Sequence, residues 1–329
     1  MKNISKEIEK AKKSVFKKAE QVKGEKIQGP DFNKNISLKD LINSYKNIGF
    51  QASNLFKAIE IIKKMKKEKA TIFLAYTSGI ISSGLREIIR YLVEKKFVDV
   101  LITTTGGVEE DFIKTMKPFI LGNFNANGKE LRKKGINRIG NIFVPNDRYV
   151  LFEEWINPQL KELLKKQNQG ENLTASKIIK FLGEKINHKE SVYYWATKNN
   201  IPVFLPAPLD GSLGDMVYFF KQSNPEFKID VTEDLRKLID ISINSNKTGL
   251  IILGAGVIKH ATCNANLFRE GADYSVYINA AQEFDGSDAG ATPEEAMSWG
   301  KIKTEKENSV KIYSDVTLVF PLIVAEAFK

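Results

Sequence analysis

From Ser37 onward the apolar positions of this 329-residue chain fall into short continuous runs separated by stretches of helical period. The runs occupy Thr71–Tyr76 and residues 98–103, 140–144, 201–205, 250–253, 274–278 and 310–313, and they are rich in β-branched and aromatic side chains. Helical periods fit between them at 84–96, 109–116, 152–166, 175–185, 192–198, 213–220 and 264–271. Upstream, Ser37 and Asp40 have the spacing of a capping box, and residues 56–69 continue as a further helix. Strands apolar along their whole length are strands covered on both faces. The alternation therefore predicts an α/β fold: a mainly parallel Rossmann-like sheet with helices on both faces. No internal repeat and no Pro, Gly or Ser-rich linker divides the chain, so residues 31–329 are expected to form one domain.

The first thirty residues differ. Ile4, Ile8, Ala11, Val15 and Ala19 recur at helical spacing over residues 1–23, among eight lysines and three glutamates, and a break follows between Gly24 and Pro30. Residues 1–30 thus predict an N-terminal amphipathic helical extension, either a solubilising tail or a segment that docks.

Composition narrows the function classes. Fifty lysines and arginines against forty acids give a net charge of +10. The lysines are dispersed over helical faces such as 61–69 and 160–166, with no stripe of aromatics and arginines to stack bases, so solvated faces are expected rather than a nucleic-acid site. No apolar run approaches the roughly 18 residues that span a bilayer, and the N-terminus lacks a signal-peptide core. A lone cysteine, Cys263, excludes an intrachain disulfide and a cysteine metal cluster. The expectation is a cytoplasmic protein with no membrane partner and no metal.

Against that basic background, residues 283–301 carry five carboxylates (Glu283, Asp285, Asp288, Glu294, Glu295) and no base until Lys301. Gly286, Gly290 and Pro293 predict a loop entering a helix, with Thr292 as N-cap and Pro293 at the first helical position. Two readings stand: a solvated acidic loop, or a receptor for a small polycation with Lys301 as a nucleophile beside it. Ligands of such sheets gather at the carboxyl ends of the strands. Three exits are rich in small and hydroxyl residues: Thr77-Ser78-Gly79 with Ser82 and Ser83, Thr104-Thr105-Gly106-Gly107 with Glu109 and Glu110, and Gly254-Ala255-Gly256 with Lys259 and His260. Bare amides at such turns suit a pyrophosphate. The last turn has Lys259 where the dinucleotide fingerprint has its third glycine. A tight turn explains any one of the three; together they tilt towards a nucleotide. Asp210-Gly-Ser-Leu-Gly-Asp215 adds two carboxylates at the same end. His260 reads as a structural donor or a proton carrier, His188 as a surface residue and Cys263 as packing.

The motifs are long and ordered. From Val22-Lys-Gly24 and Asp31-Phe-Asn33, through Gly49-Phe-Gln-Ala-Ser-Asn54 and the 283–301 stretch with its Trp-Gly-Lys, to Pro321, the chain resembles the deoxyhypusine synthase family over nearly its whole length. The resemblance implies NAD as cofactor, held by Ser78, Ser82, Thr104, Thr105, Gly106, Glu110, Asp210, Gly254, Ala255, Gly256, Ala281, Asp315 and Val316. It implies spermidine as substrate, bound by Asp215, Asn264, Asp288, Glu295 and Trp299 with Asp285 in support. Lys301 and His260 become the catalytic pair, with Trp299 as a dry wall. The activity implied is transfer of a 4-aminobutyl group to one lysine of the translation initiation factor 5A precursor through a Lys301 imine. The alternatives are a homospermidine synthase, with putrescine as acceptor, and a non-catalytic paralogue that binds NAD and activates a partner subunit. The same resemblance implies sites between paired subunits of a homotetramer, a dimer of dimers, and an N-terminal extension able to cover a neighbour's site. One departure is Gly79, where many relatives carry Asn.

Overall fold

Six parallel strands form the centre of the protein: β1 (Thr71–Tyr76), β2 (Val100–Thr103), β3 (Val203–Phe204), β4 (Thr248–Leu253), β5 (Tyr274–Asn279) and β6 (Ser309–Tyr313), numbering this sheet alone. The structure is a computed structural model that describes residues 2–303 and 305–328. The strands lie in the order β3–β2–β1–β4–β5–β6. This is a doubly wound α/β sheet whose winding reverses between β1 and β4, where such sheets hold their ligands. Those two strands pair along their full length, from Thr71 with Thr248 to Tyr76 with Leu253.

Every residue of β4 and β5 is buried, as continuous apolar runs require. Alternate side chains of β1 feed two cores. Ile72, Leu74 and Tyr76 meet helices Phe50–Lys67, Leu85–Glu94, Thr105–Met116 and Val316–Ala327 on one face. Phe73 and Ala75 meet Ile258, Cys263 and Ala265 of helix Val257–Leu267, and Leu238 of helix Thr232–Ile243, on the other. The edge strand β6 is covered rather than left open: Gln51 Oε1 accepts the Tyr313 amide at 2.8 Å and Asn54 Nδ2 donates to the Lys311 carbonyl at 3.2 Å. The Gly49–Asn54 motif thus closes an edge. The capping box forms as expected, with Asp40 N donating to Ser37 Oγ and Ser37 N to Asp40 Oδ2.

Several elements depart from the pattern. The run at 140–144 does not join the main sheet. Ile142–Pro145 pairs antiparallel with Ile136–Ile139 and Ile120–Leu121 in a separate three-stranded sheet, because Gly140, at φ +58°, and Asn141 form a two-residue hairpin turn. The helix expected at 264–271 is Val257–Leu267, which starts directly after Gly256. Helices Thr232–Ile243 and Val316–Ala327 were not anticipated; the second is apolar nearly all round and contains Pro321, so it shows no polar face to set a period. The first helix is Lys2–Val15, shorter than the periodicity of residues 1–23, and its Ile4, Ile8 and Val15 side chains are exposed. Among the described residues no helix is long and apolar enough to cross a membrane, and no group of His, Cys, Asp or Glu could hold a metal ion.

One buried charge ties three helices together. Asp111, on Thr105–Met116, accepts Arg86 Nε at 2.7 Å, Ser191 Oγ at 2.5 Å and the Val192 amide at 3.1 Å. Asp111→Ala would leave the buried Arg86 guanidinium with only the exposed Glu87 carboxylate, 3.1 Å from Nη1, and is expected to cost about 3–5 kcal/mol in denaturant unfolding. The double change Asp111→Leu with Arg86→Met should cost clearly less. Equal losses in the two variants would mean that the charge pair is not what the site needs.

Candidate active site

The three glycine-bearing exits meet at the winding reversal. Gly254, at φ +96°, donates its amide to Ile278 O at 2.9 Å, and a Cβ there would lie 2.8 Å from Thr77 Oγ1. Only glycine fits both the left-handed backbone and the contact. Ser78 N donates to Thr104 Oγ1 at 3.1 Å, and a Cβ on Gly106 would lie 2.8 Å from Ser78 Cβ. Asn279 Nδ2 donates to Gly254 O at 3.3 Å and ties in the end of β5. All three exits open helices, Ser78–Ser82, Thr105–Met116 and Val257–Leu267, so their free amides face one region. Gly256, at φ +73°, precedes the last of these with open space where a Cβ would stand.

Two adjacent carboxylates take different tasks. Glu110 is buried and accepts a hydrogen bond from Ser82 Oγ. Burial, with Glu109 nearby, pushes its pKa up to about 7 against the pull of Ser82 and Lys114. Glu109 accepts the amides of Ser212 and Leu213 and so caps helix Ser212–Ser223, which carries the exposed Asp215 just after the exposed Asp210. The Tyr149 phenol lies near Glu110, Glu109 and Asp215; burial first, then their charge, pushes it up to about 12. Thr105 Oγ1 is engaged with Ala207 O at 2.8 Å. Asp315 caps helix Val316–Ala327 through the Thr317 amide at 2.8 Å, and Val316 beside it is buried.

The acidic stretch runs from β5 to Lys301. Helix Pro293–Ser298 begins with its proline at the first turn; Thr292 holds the cap position in extended backbone, without a side-chain capping bond. The helix closes on Gly300 at φ +70°, with Lys301 N donating to Ala296 O at 3.0 Å and Gly300 N to Met297 O at 3.0 Å. This paired closure needs a left-handed residue after the cap, which explains the glycine of Trp-Gly-Lys. Lys301 is then pinned from outside: Ala272 N donates to Lys301 O and Lys303 N to Ala272 O, both at 3.0 Å. Its backbone therefore sits by the amino end of β5, not at the strand tips. Its ammonium lies 5.4 Å from the Trp299 ring centre and within electrostatic reach of Lys259.

Around it the candidates separate. Asp288 is half-buried, and its Oδ2 is shut from solvent without a hydrogen bond to the described residues. Glu295 is exposed but close enough to act on Lys259. His260 and Asn264 stand one turn apart on helix Val257–Leu267, with Asn264 Nδ2 3.2 Å from His260 Nδ1. One expectation is corrected. Trp299 is 65 % exposed, so it is not a dry wall within this chain: it caps the C-terminal end of a six-residue helix, and none of the described residues buries it. Asp285 is exposed and accepts the Ser287 amide at 2.9 Å, which engages one oxygen in its own turn and leaves the other free of that bond. Cys263 is packing, with Sγ 3.1 Å from Tyr277 Oη, and His188 is on the surface. Sequence reasoning missed Asn279 and Lys311 and named Glu109 and Lys259 at the strand exits without a role, since these types give no signal apart from tertiary contacts. A hollow of about 530 Å³ against Val203 and Phe204 contains none of the candidate residues.

Comparison with known proteins agrees with this geometry. A family model described as deoxyhypusine synthase matches residues 40–327. A deoxyhypusine synthase of Neurospora crassa is 50% identical over 323 residues, covering 92% of this chain and 91% of its own. A protein of Methanocaldococcus jannaschii described as a probable deoxyhypusine synthase is 52% identical over 326 residues, covering 94% and 98%. A solved structure from Entamoeba histolytica, described as a candidate deoxyhypusine synthase, superposes with a TM-score of 0.64 at 34% identity, covering 92% of this chain and 96% of that one. With the family model matched over residues 40–327 and relatives about half identical over nearly the whole chain, the chain belongs to the deoxyhypusine synthase family.

Proposed function

We propose that the chain uses NAD to move the 4-aminobutyl group of spermidine onto one lysine of the translation initiation factor 5A precursor, by way of an imine on Lys301. The observation that carries the reading is Asp288 Oδ2, a carboxylate oxygen cut off from water and unpaired with the described residues, on the loop that leads to Lys301. An acceptor of that kind calls for a donor from a ligand, and a polyamine ammonium supplies it. Asp215 and Glu295 are exposed carboxylates that would take the other amines, each charge-assisted bond contributing on the order of 1.5–3 kcal/mol.

The residues at the winding reversal suit NAD. Gly256 leaves open space where a Cβ would stand, and Ser78, Thr104 and Gly256 stand at helix starts whose amides favour a pyrophosphate. Glu110 would accept ribose hydroxyls, with Asp210 as the second such acid. Bound there, NAD supplies a hydride acceptor for the carbon beside the secondary amine and later the hydride donor. His260 takes the proton that the secondary amine gives up. Lys301 Nζ, as the neutral amine, attacks the resulting imine carbon; the carbon–nitrogen bond to the three-carbon diamine breaks and the diamine leaves with the proton. The factor's lysine then attacks the same carbon and frees Lys301. Trp299 offers an aromatic face to the cationic substrate.

Trp299, Tyr218, Phe219 and Phe268 are large, exposed and near the candidate residues in the chain, which supports a second copy closing over the site within a dimer-of-dimers tetramer. The exposed stripe of helix Lys2–Val15 is consistent with residues 1–30 reaching such a neighbour. A buried lone cysteine fits a cytoplasmic setting.

Incubation with NAD, spermidine and the factor precursor should add an aminobutyl mass to the factor, and borohydride should trap a butylamine adduct on Lys301. Lys301→Ala should lower the transfer by at least about 10²-fold. Homospermidine formed from spermidine with putrescine as the acceptor, in place of factor modification, would move the chain to the homospermidine reaction, and undiminished transfer by Lys301→Ala would remove the mechanism.

Cofactor choice should depend on pH. Below about 7 Glu110 is protonated and neutral; above it the carboxylate is charged and repels a 2′-phosphate. The preference for NAD over its 2′-phosphorylated form, measured by calorimetry, should widen from pH 6 to pH 8 by about fivefold, the effect of roughly 1 kcal/mol between like charges. Glu110→Gln should flatten that dependence. A ratio unchanged with pH in the native protein would take Glu110 out of the ribose site.

A further inference from the structure

Two buried ammonium groups grip one loop from beneath, and the reaction outlined above uses neither. Lys259, 2 % exposed on helix Val257–Leu267, donates to Asp288 O and, at 2.8 Å, to Ala291 O, with its Nζ 5.2 Å from the Tyr277 ring centre. Lys311, 6 % exposed on β6, donates to Gly290 O and, at 2.9 Å, to Ala281 O, with its Nζ 4.2 Å from the Tyr313 ring centre. All four acceptors are backbone carbonyls of residues 281–291, taken where the loop leaves β5 and where it returns. Tyr313 adds a hydrogen bond from its hydroxyl to Glu283. The two limbs of the loop touch: a Cβ on Gly290 would lie 1.7 Å from Gln282 O.

Burial lowers the proton affinity of both lysines, so each charge is held at a cost. Ordinary packing explains neither, since an apolar side chain would fill the same space without that cost. The loop itself supplies a reason. Residues 283–295 hold five carboxylates that repel one another, and an open, solvated loop is their natural state. Two fixed cations under its carbonyls oppose that opening. The lysines sit on different elements, and Asn54 fixes the backbone of Lys311 through its carbonyl.

We propose that Lys259 and Lys311 are positioning residues that clamp the 281–291 loop shut, so that Asp288 is presented to a substrate ammonium before any substrate arrives. The assignment of that ammonium to a polyamine rests on the function proposed above; the clamp does not. A loop already closed spares the substrate the work of closing it. Loosening the clamp lowers the fraction of binding-competent protein and weakens apparent affinity by that fraction.

Hydrogen exchange followed by mass spectrometry on the full-length protein tests this directly. Lys311→Met keeps the length and apolar stem but removes the charge and donors, and should speed exchange of the 281–291 amides about tenfold or more while the strands of the central sheet keep native rates. Lys259→Met should do the same, and Lys311→Arg should restore part of the protection. In turnover assays Lys311→Met should raise the KM for spermidine about tenfold with kcat changed less than about threefold, a split that a general loss of folded protein would not produce. Native loop exchange in both Met variants overturns the clamp whatever their activity. If Lys259→Met does not fold, Lys311→Met decides alone. A native protein inactive on spermidine sinks the functional reading instead, and leaves the exchange result to judge the clamp.

Discussion

The pairing of β1 with β4 is the constraint from which the site follows. It brings the Thr77 turn and the Gly254 turn into contact, and with only 2.8 Å between Thr77 Oγ1 and the place of a Cβ, position 254 is closed to any side chain. The chain winds away from this seam in both directions, so the helices that follow β1 and β4 diverge to opposite faces and leave their first amides facing the gap. Ser78 to Thr104 and Asn279 to Gly254 carry the same seam outward to β2 and β5. A change that opened the seam would therefore disturb three turns at once, not one.

A second constraint is electrostatic. The chain uses buried charge mostly to hold backbone. Lys114 donates to the carbonyls of Ile81 at 2.8 Å and Ser83 at 2.9 Å and so closes the short helix Ser78–Ser82. Glu109 receives the first amides of helix Ser212–Ser223, the mirror arrangement with a carboxylate at a helix start. Lys259 and Lys311 do for the acidic loop what these two do for helices. In each case a full charge meets partial charges of opposite sign. The nearby Asp288 and Glu295 carboxylates also support the Lys259 ammonium.

Much of the fold was legible because period and composition agree where strands are buried on both faces. The runs at β1, β4 and β5 carry their own boundaries. The errors fall where a local signal has two meanings. Gly140-Asn141 is both a plausible strand border and a hairpin turn, and only the partner strand Ile136–Ile139 decides. Val316–Ala327 is buried too completely to show a polar face, so its helical period is invisible. The same burial that makes a strand conspicuous conceals a helix.

The site divides along the same line. A residue whose role is set by its own neighbours in sequence was legible: Pro293, because it starts a helix. Residues whose role is set by distant chain were not. Among fifty basic residues, Lys259 and Lys311 look like any solvated lysine, and Lys259 stands where a dinucleotide fingerprint would have glycine. A glycine there would let the helix approach the sheet more closely; a lysine spends its length crossing to Asp288 and Ala291 instead. That exchange couples the turn after β4 to the loop after β5. The position that departs from the common nucleotide pattern is therefore where this sheet ties the glycine turn after β4 to its acidic loop.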